Sequence, residues 1–388
     1  MVNTRSRLLL FRIFLIVILI AGVEAIGYLG MWFNSRSFDY ASNKNYFQIR
    51  AMLMGDKKPE HFPRYLSVPF LGYIPYPGYK KNGITQHNED GYRGNKVPFL
   101  KSGKLRILCL GGSTTYGSTV DSPSEAYPAR LEVLLTNYLV HDSILGKKYK
   151  GVEIINAGLE SGTSAEELQQ YLFKYRYYKP HIVIVHSGVN DAELVANASS
   201  DYQPDYEDAR RLSFCLEPLT LSGRWLLKSY FLSFMTIQLF YDNFADKRIT
   251  EPHWYSRQEN QQFCKWAHID IDSIIAQKQY EFYPFYRNSK SLFESVVSDG
   301  AILLVFPNAL NEKSEFIKSH KKYNETNTLN ASLSKLLSDG CGGVYVPFYF
   351  DSIRDPACWV DDCHLNAKGE ENKAEILFNV LIKESKSL

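Results

Sequence analysis

The chain has 388 residues, enough for two or three domains or for one α/β domain with large insertions, and long enough to bury a core without disulfides. Lys and Arg number 44 against 42 Asp and Glu, and a net charge of +2 offers no electrostatic footprint for a nucleic-acid partner. Apolar residues at 45% and charged residues at 22% exclude bulk disorder and a collagen-like repeat, while aromatics at 14% leave open a Tyr-rich surface and core or a groove facing carbohydrate or lipid.

Residues 13–23, IFLIVILIAGV, form an uninterrupted apolar run. It extends back through Leu8-Leu9-Leu10-Phe11 and forward to Trp32 and Phe33, broken only by Arg12 and Glu24. The 8–33 segment is long enough to cross a bilayer, which needs about 20 mostly apolar residues. Arg5, Arg7 and Arg12 on its N-terminal side predict a cytoplasmic N-terminus and an exported remainder. A cleavable signal peptide is the rival reading, with Val23-Glu24-Ala25 offering cleavage after Ala25. Either way, residues beyond the run are expected outside the cytoplasm, in the periplasm or the extracellular space.

Six cysteines fit an oxidising compartment. Cys109 falls inside a predicted buried strand and reads as a free thiol. Cys358 and Cys363 are spaced to close a small loop, and Cys215 and Cys264 to staple a long insertion. No CxxC or His pair has zinc-finger spacing, so no structural metal is expected. The glycosylation sequons at Asn197, Asn324 and Asn330 are no more than chance supplies in this length.

Residues 34–100 are rich in Tyr, Pro, Asn and Gly without sustained periodicity, and read as a juxtamembrane stalk and cap. From residue 101 the pattern changes. Short apolar runs at Leu105–Leu110, Val152–Asn156, His181–His186, Ala301–Phe306 and Val344–Phe348 alternate with helical stretches near 125–139, 164–177, 285–298, 325–338 and 367–385. That alternation predicts an α/β fold, a five-stranded parallel sheet covered on both faces in a three-layer, flavodoxin-like arrangement. The stretch 192–285 is too long for a plain crossover and is expected to form a helical insertion bearing Trp225, Trp254 and Trp266. Rooted beside the third strand, it is expected either to roof the site and govern substrate choice or merely to pack on the sheet.

Ligands in doubly wound sheets bind beyond the carboxyl ends of the strands. After the first run comes Gly111-Gly112-Ser113-Thr114-Thr115-Tyr116-Gly117; after the second, Asn156-Ala157-Gly158-Leu159-Glu160-Ser161-Gly162; after the third, Gly188-Val189-Asn190-Asp191; after the fifth, Asp361-Asp362-Cys363-His364. Read singly, these blocks are bland. Ser113 suits a helix cap, Asn190-Asp191 suits a turn, and a lone His is commonly a surface or core residue. In this order, each at the end of its own strand, they resemble the SGNH or GDSL-type hydrolases, and the membrane-anchored extracytoplasmic bacterial branch with a GGST nucleophile block. Asn88-Glu89-Asp90-Gly91-Tyr92-Arg93-Gly94 is similar to a segment seen in that branch.

The resemblance implies that Ser113 is the nucleophile, His364 its general base, and Asp361 the residue orienting His364, with Asp362 the rival for that role. It implies an oxyanion hole formed by the Ser113 N–H, the Asn190 side-chain amide and a backbone N–H of the second block. The family places a Gly five residues after the Asn, where this chain has Ser161. Gly162 is the preferred donor and Ser161 the alternative. Such a site needs no metal or organic cofactor. The expected activity is a serine esterase working through an acyl-enzyme on an O-acyl ester of a cell-envelope glycan or lipid. An O-acyltransferase using the same triad is the alternative, and an inactive anchored binding protein a third.

Overall fold

Strands with apolar side chains on both faces need helices on both sides. The structure, a computed structural model, describes residues 4–35, 46–55, 64–68, 70–100, 102–141, 145–197, 219–241, 284–311, 313, 321–346 and 355–384. Strands β1 (Leu105–Gly111), β2 (Val152–Gly158), β3 (Ile182–His186), β4 (Ile302–Val305) and β5 (Val344–Tyr345) form one parallel sheet in the order β2-β1-β3-β4-β5. This is the doubly wound, flavodoxin-like order, with its switch point between β1 and β3. Gly111 pairs with both Gly158 and His186, so the first three strands end level and their following loops leave from one edge.

Besides a single turn at Leu145–Lys148, the α-helices of the described residues are α1 (Thr4–Asn34), α2 (Tyr46–Leu53), α3 (Ser113–Tyr116), α4 (Tyr127–His141), α5 (Ser164–Phe173), α6 (Val189–Asn197), α7 (Leu221–Leu226), α8 (Tyr230–Thr236), α9 (Pro284–Ser298), α10 (Lys321–Leu336) and α11 (Ala367–Glu384). Alternation along β1 divides the core. Leu108 and Leu110 pack with Tyr171 of α5, Leu292 of α9 and Leu333 of α10. Ile107 and Cys109 pack with Leu131 of α4 and Leu377 of α11 on the other face. All five helical stretches expected around the sheet are present. The second is shorter than expected and ends in a 3-10 turn at Tyr175–Tyr178.

The chain divides into two units, Met1–Leu66 with Ser213–His253, and Ser67–Leu212 with Trp254–Leu388. The boundaries therefore differ from those read at 100 and around 192–285. Buried polar contacts explain why residues 67–100 go with the sheet. The Arg106 side chain on β1 is 1% exposed and pairs with Glu153 of β2, Nε to Oε1 at 2.7 Å. Its remaining N–H groups reach the carbonyls of Pro98, Phe99, Leu100 and Tyr178. A buried guanidinium is tolerated only with its donors occupied, so these carbonyls are held against the sheet.

The stretch 34–100, read as a stalk and cap without sustained periodicity, carries short elements of its own. Lys80–Lys81 pairs antiparallel with Ile84–Thr85. The turn between them is Asn82-Gly83, with φ of 51° and 79°, the left-handed pair a two-residue hairpin requires. Within the expected insertion, α6, α7 and α8 are helical, while Trp254, Trp266, Cys215 and Cys264 lie outside the described residues. Trp225 belongs to the first unit. Cys109 is a buried free thiol, and Cys358 and Cys363 are free too. The Cys358–Cys363 loop closure does not form because the side chains enter different cores. Cys358 packs toward Leu377 and Leu381 of α11, and Cys363 with Val189 and Leu310.

Candidate active site

Where β1 turns into α3 there is no room for a side chain at Gly111. A Cβ there would lie 2.2 Å from Thr115 Oγ1 and 2.3 Å from the His186 carbonyl oxygen. The N-cap of α3 is Gly112, so Ser113 is the first helical residue and its hydroxyl is not spent as a cap. Its Oγ lies 2.7 Å from His364 Nε2.

The loop carrying His364 is a tight reversal. Trp359 bridges Leu365 antiparallel, and the Val360 N–H donates to the His364 carbonyl at 2.9 Å. At its tip Asp361 Oδ1 accepts the backbone N–H groups of Cys363 (2.9 Å) and His364 (2.7 Å), and Oδ2 meets His364 Nδ1 at 2.7 Å. The loop is tied to its surroundings by Thr119 Oγ1 donating to the Leu365 carbonyl at 2.5 Å, and by the Asn311 N–H donating to the Asp362 carbonyl at 2.8 Å. Of the two adjacent carboxylates, Asp361 is the one that meets the imidazole.

An ionised carboxylate only accepts, so the Nδ1 proton belongs on the side of Asp361 and Nε2 is left to accept from Ser113 Oγ–H. Burial pushes the Asp361 carboxyl up, but the His364 hydrogen bond and charge and the two backbone N–H groups outweigh it and hold it down at about 2. Burial pulls His364 down, yet Asp361 and the Cys363 sulfur, 3.5 Å from Nδ1, raise it above the ordinary 6.5. Protonated His364 cannot take the serine proton. The acid limb of a kcat/KM–pH profile is therefore expected above pH 6.5, activity rising as pH climbs through it. A limb at or below 6.5 in a pH series on a soluble ester would contradict this electrostatic account.

Asn190 sits in the first turn of α6. Its Nδ2 donates to the Gly162 carbonyl at 2.7 Å, engaging one of its two N–H groups. The neighbouring Asp191, fully buried, accepts Ser164 Oγ at 2.6 Å and Ser164 N at 3.1 Å, fixing the start of α6 against α5. A capping box at Thr163 and Glu166 opens α5 immediately after Gly162. The Gly162 N–H itself donates to the Leu159 carbonyl at 2.8 Å, closing a turn. The N–H expected to serve as the second oxyanion donor is thus engaged within its own loop in this geometry. Ser161, before it, holds φ at 58°, a left-handed conformation costing a non-glycine residue about 1–2 kcal/mol.

Several supporting residues escaped the sequence reading. The Arg93 guanidinium lies 4.4 Å from the Tyr116 ring centroid, and His87 Nε2 contacts Tyr116 Oη at 2.8 Å. Lys373 of α11, buried, donates to the Thr114 carbonyl at 2.8 Å from behind α3. Asn308, after β4, contacts Thr114 Oγ1 at 3.4 Å and also donates to the Ser187 carbonyl. Together these clamp the turn that presents Ser113. The available signal was polar residues on otherwise apolar faces, Glu370 and Lys373 on α11 above all. Among the described residues, Asp361, Cys363 and His364 also offer three potential metal donors within 4.8 Å of one another. Both ring nitrogens of His364 are engaged in the relay.

No protein-family model matches the chain, and no curated protein does either. Similar solved structures include a GDSL-like lipase from Bacteroides thetaiotaomicron, 11% identical with a TM-score of 0.40 over 74% of this chain and 92% of the other. A catalytic mutant of the acetylxylan esterase Axe2 from Geobacillus stearothermophilus is 12% identical, with a TM-score of 0.41 over 72% of this chain and 95% of its own. A structure of TesA is 13% identical, with a TM-score of 0.39 over 71% and 97%. At such identities and scores these likenesses assign neither a family nor a substrate.

Proposed function

We propose that this chain is a membrane-anchored serine esterase of the SGNH or GDSL type that cleaves O-acyl esters through an acyl-enzyme. The observation carrying the reading is the unbroken relay from Ser113 Oγ to His364 Nε2 and from His364 Nδ1 to Asp361 Oδ2, 2.7 Å at each step. Ser113 attacks the ester carbonyl as His364 takes its proton. The oxyanion is met by the Ser113 N–H, which as the first of a helix has no intrahelical acceptor, and by the remaining N–H of Asn190. The second block supplies the third donor, a backbone N–H of Gly162 or of Ser161; in this geometry the Gly162 N–H donates to the Leu159 carbonyl. His364 then protonates the leaving alcohol, the tetrahedral adduct collapses to an ester on Ser113, and a water deprotonated by His364 releases the acid.

Substituting a sugar hydroxyl for that water gives an O-acyltransferase with the same residues. An inactive binding protein would have no need of an intact relay. Substrates are placed on envelope glycans or lipids by the setting of the chain. An ester panel with and without saccharide acceptors tests the reading. Release of free acid, unchanged by acceptor, is expected. Acyl transfer that outruns hydrolysis would replace esterase with transferase, and neither product would defeat both.

The setting rests on α1, whose Arg7–Asn34 portion is long and apolar enough to span a membrane. Its far end belongs to folded structure. Met31 is fully buried, and Glu24 bonds Ser229 and the Tyr230 N–H. Cleavage after Ala25 would sever Glu24 from these partners, which favours a retained anchor over a signal peptide. With the arginines inside, the sheet-bearing unit faces outward. A reporter fused after Leu388 is expected to be active only outside the cytoplasm, and cytoplasmic activity would overturn the orientation.

A further inference from the structure

The segment 219–241 has a surface that ester chemistry does not use. The first unit joins it to α1, although some 200 residues separate them in sequence. Glu24 interrupts the apolar run of α1, and a carboxylate at that depth is costly unless partnered. Its Oε2 accepts the Tyr230 N–H, the opening donor of α8, at 2.6 Å, and its Oε1 accepts the Ser229 hydroxyl. One turn on, the two backbones touch. A Cβ on Gly27 would lie 2.3 Å from Phe231 Cα, and one on Gly30 would lie 2.9 Å from the Phe234 ring. Small residues that let helices approach this closely are a packing device of membrane helices. Below α8, Met31 packs with Leu227 and Ile237, and Arg50 occupies the Leu227 carbonyl and Ser233 Oγ at 3.0 and 3.1 Å.

Among the described residues, the outer side of this small assembly carries exposed apolar side chains. Leu221 is 83% exposed, Trp225 69%, Leu226 50% and Leu239 58%. The flank of α1 beside the contact is likewise bare, with Ile26 at 61% and Phe33 at 64%. Twenty residues of helix rise about 30 Å, the thickness of the hydrocarbon. Counted from Leu8, with the long Arg12 side chain, one turn in, reaching back to the cytoplasmic interface, that length ends at Gly27, where α8 meets α1. Tryptophan among leucines, with Lys228 exposed nearby, is the composition of a helix lying at a headgroup boundary.

We propose that α7, α8 and the helical turn that follows (Ile237–Tyr241) are seated in the outer face of the bilayer beside α1, with Leu221, Trp225, Leu226 and Leu239 in contact with lipid. The occupant follows from continuity, since this surface extends the lipid-facing flank of the span itself. The segment is then a second membrane contact, one that would fix the rotation and depth of the anchor. The proposal rests on reading α1 as a membrane span, and the test separates the two.

The full chain, carrying p-benzoylphenylalanine in place of Ile16, Leu221, Trp225 or Val140, is reconstituted in vesicles of phosphatidylethanolamine and phosphatidylglycerol and irradiated. Ile16 reports the span, Leu221 and Trp225 report the proposed seat, and Val140, 77% exposed on α4 of the other unit, is the control. Lipid adducts are expected at Ile16, Leu221 and Trp225, and only background at Val140. Adducts at Ile16 with none at Leu221 and Trp225, or with protein in place of lipid there, would overturn the proposal and leave the span standing. Absence at Ile16 would remove the span and the proposal with it. Adducts at Val140 as strong as at Trp225 would also overturn it.

Discussion

Replacing Ser113 with alanine is expected to abolish ester turnover, a loss on the order of 10⁶-fold in kcat where the nucleophile acts as one unit with its base. The change leaves the proposed oxyanion donors in place, so about 10³–10⁴-fold acceleration over water is expected to remain as a floor. The reason is local. No other hydroxyl is seen within hydrogen-bond distance of His364 Nε2 among the described residues, and Ser118 Oγ, five residues on, instead bonds the Ser113 carbonyl at 3.3 Å. A fluorophosphonate should label the wild-type chain at Ser113 and leave the variant unlabelled. Labelling at another serine, or esterase activity that survives the substitution, would place the nucleophile elsewhere.

Asp361→Asn is expected to cost about 10⁴-fold in rate and Asp362→Asn far less. The geometry sets the direction. Two backbone N–H groups hold Oδ1 of Asp361 as an acceptor, so an amide introduced there turns its NH₂ toward His364 Nδ1. Nδ1 must then accept, the ring proton moves to Nε2, and the imidazole can no longer take the serine proton. Asp362 offers its backbone carbonyl to Asn311, a contact an amide side chain leaves in place. Steady-state kinetics on one small ester compares the two. Equal losses would assign the orienting role to neither carboxylate.

The sheet was legible because both of its faces are buried. Burial on two sides demands unbroken apolar runs, and such runs are visible without any knowledge of pairing. The residues at the strand ends were legible for a related reason. A parallel sheet sends every strand end to one edge, so Ser113, Asn190 and His364 could be brought together on paper although 251 residues separate the first from the last. The short Lys80–Thr85 hairpin was signalled by Asn82-Gly83, but a single turn signal between two-residue strands is weak against a background of loop-forming residues.

What one dimension hides is whichever contact depends on how elements stack. Arg106 passed unremarked inside the Leu105–Leu110 run, and only the stacking of β1 on residues 98–100 makes it a buried clasp. The engagement of the Gly162 N–H by the Leu159 carbonyl is a single backbone hydrogen bond, which spacing does not encode. Lys373 reached the Thr114 carbonyl across 259 residues, and Glu24 reached Tyr230 across 206. By itself, then, the sequence determined the parallel sheet, its helices and the edge where the relay assembles, because periodic burial writes those into local composition. Tertiary structure alone decided which carboxylate faces His364, that the Gly162 N–H closes a turn on Leu159, and that residues 219–241 join the N-terminal helix. Those outcomes depend on hydrogen-bond directions and close approaches that exist only once the elements are packed.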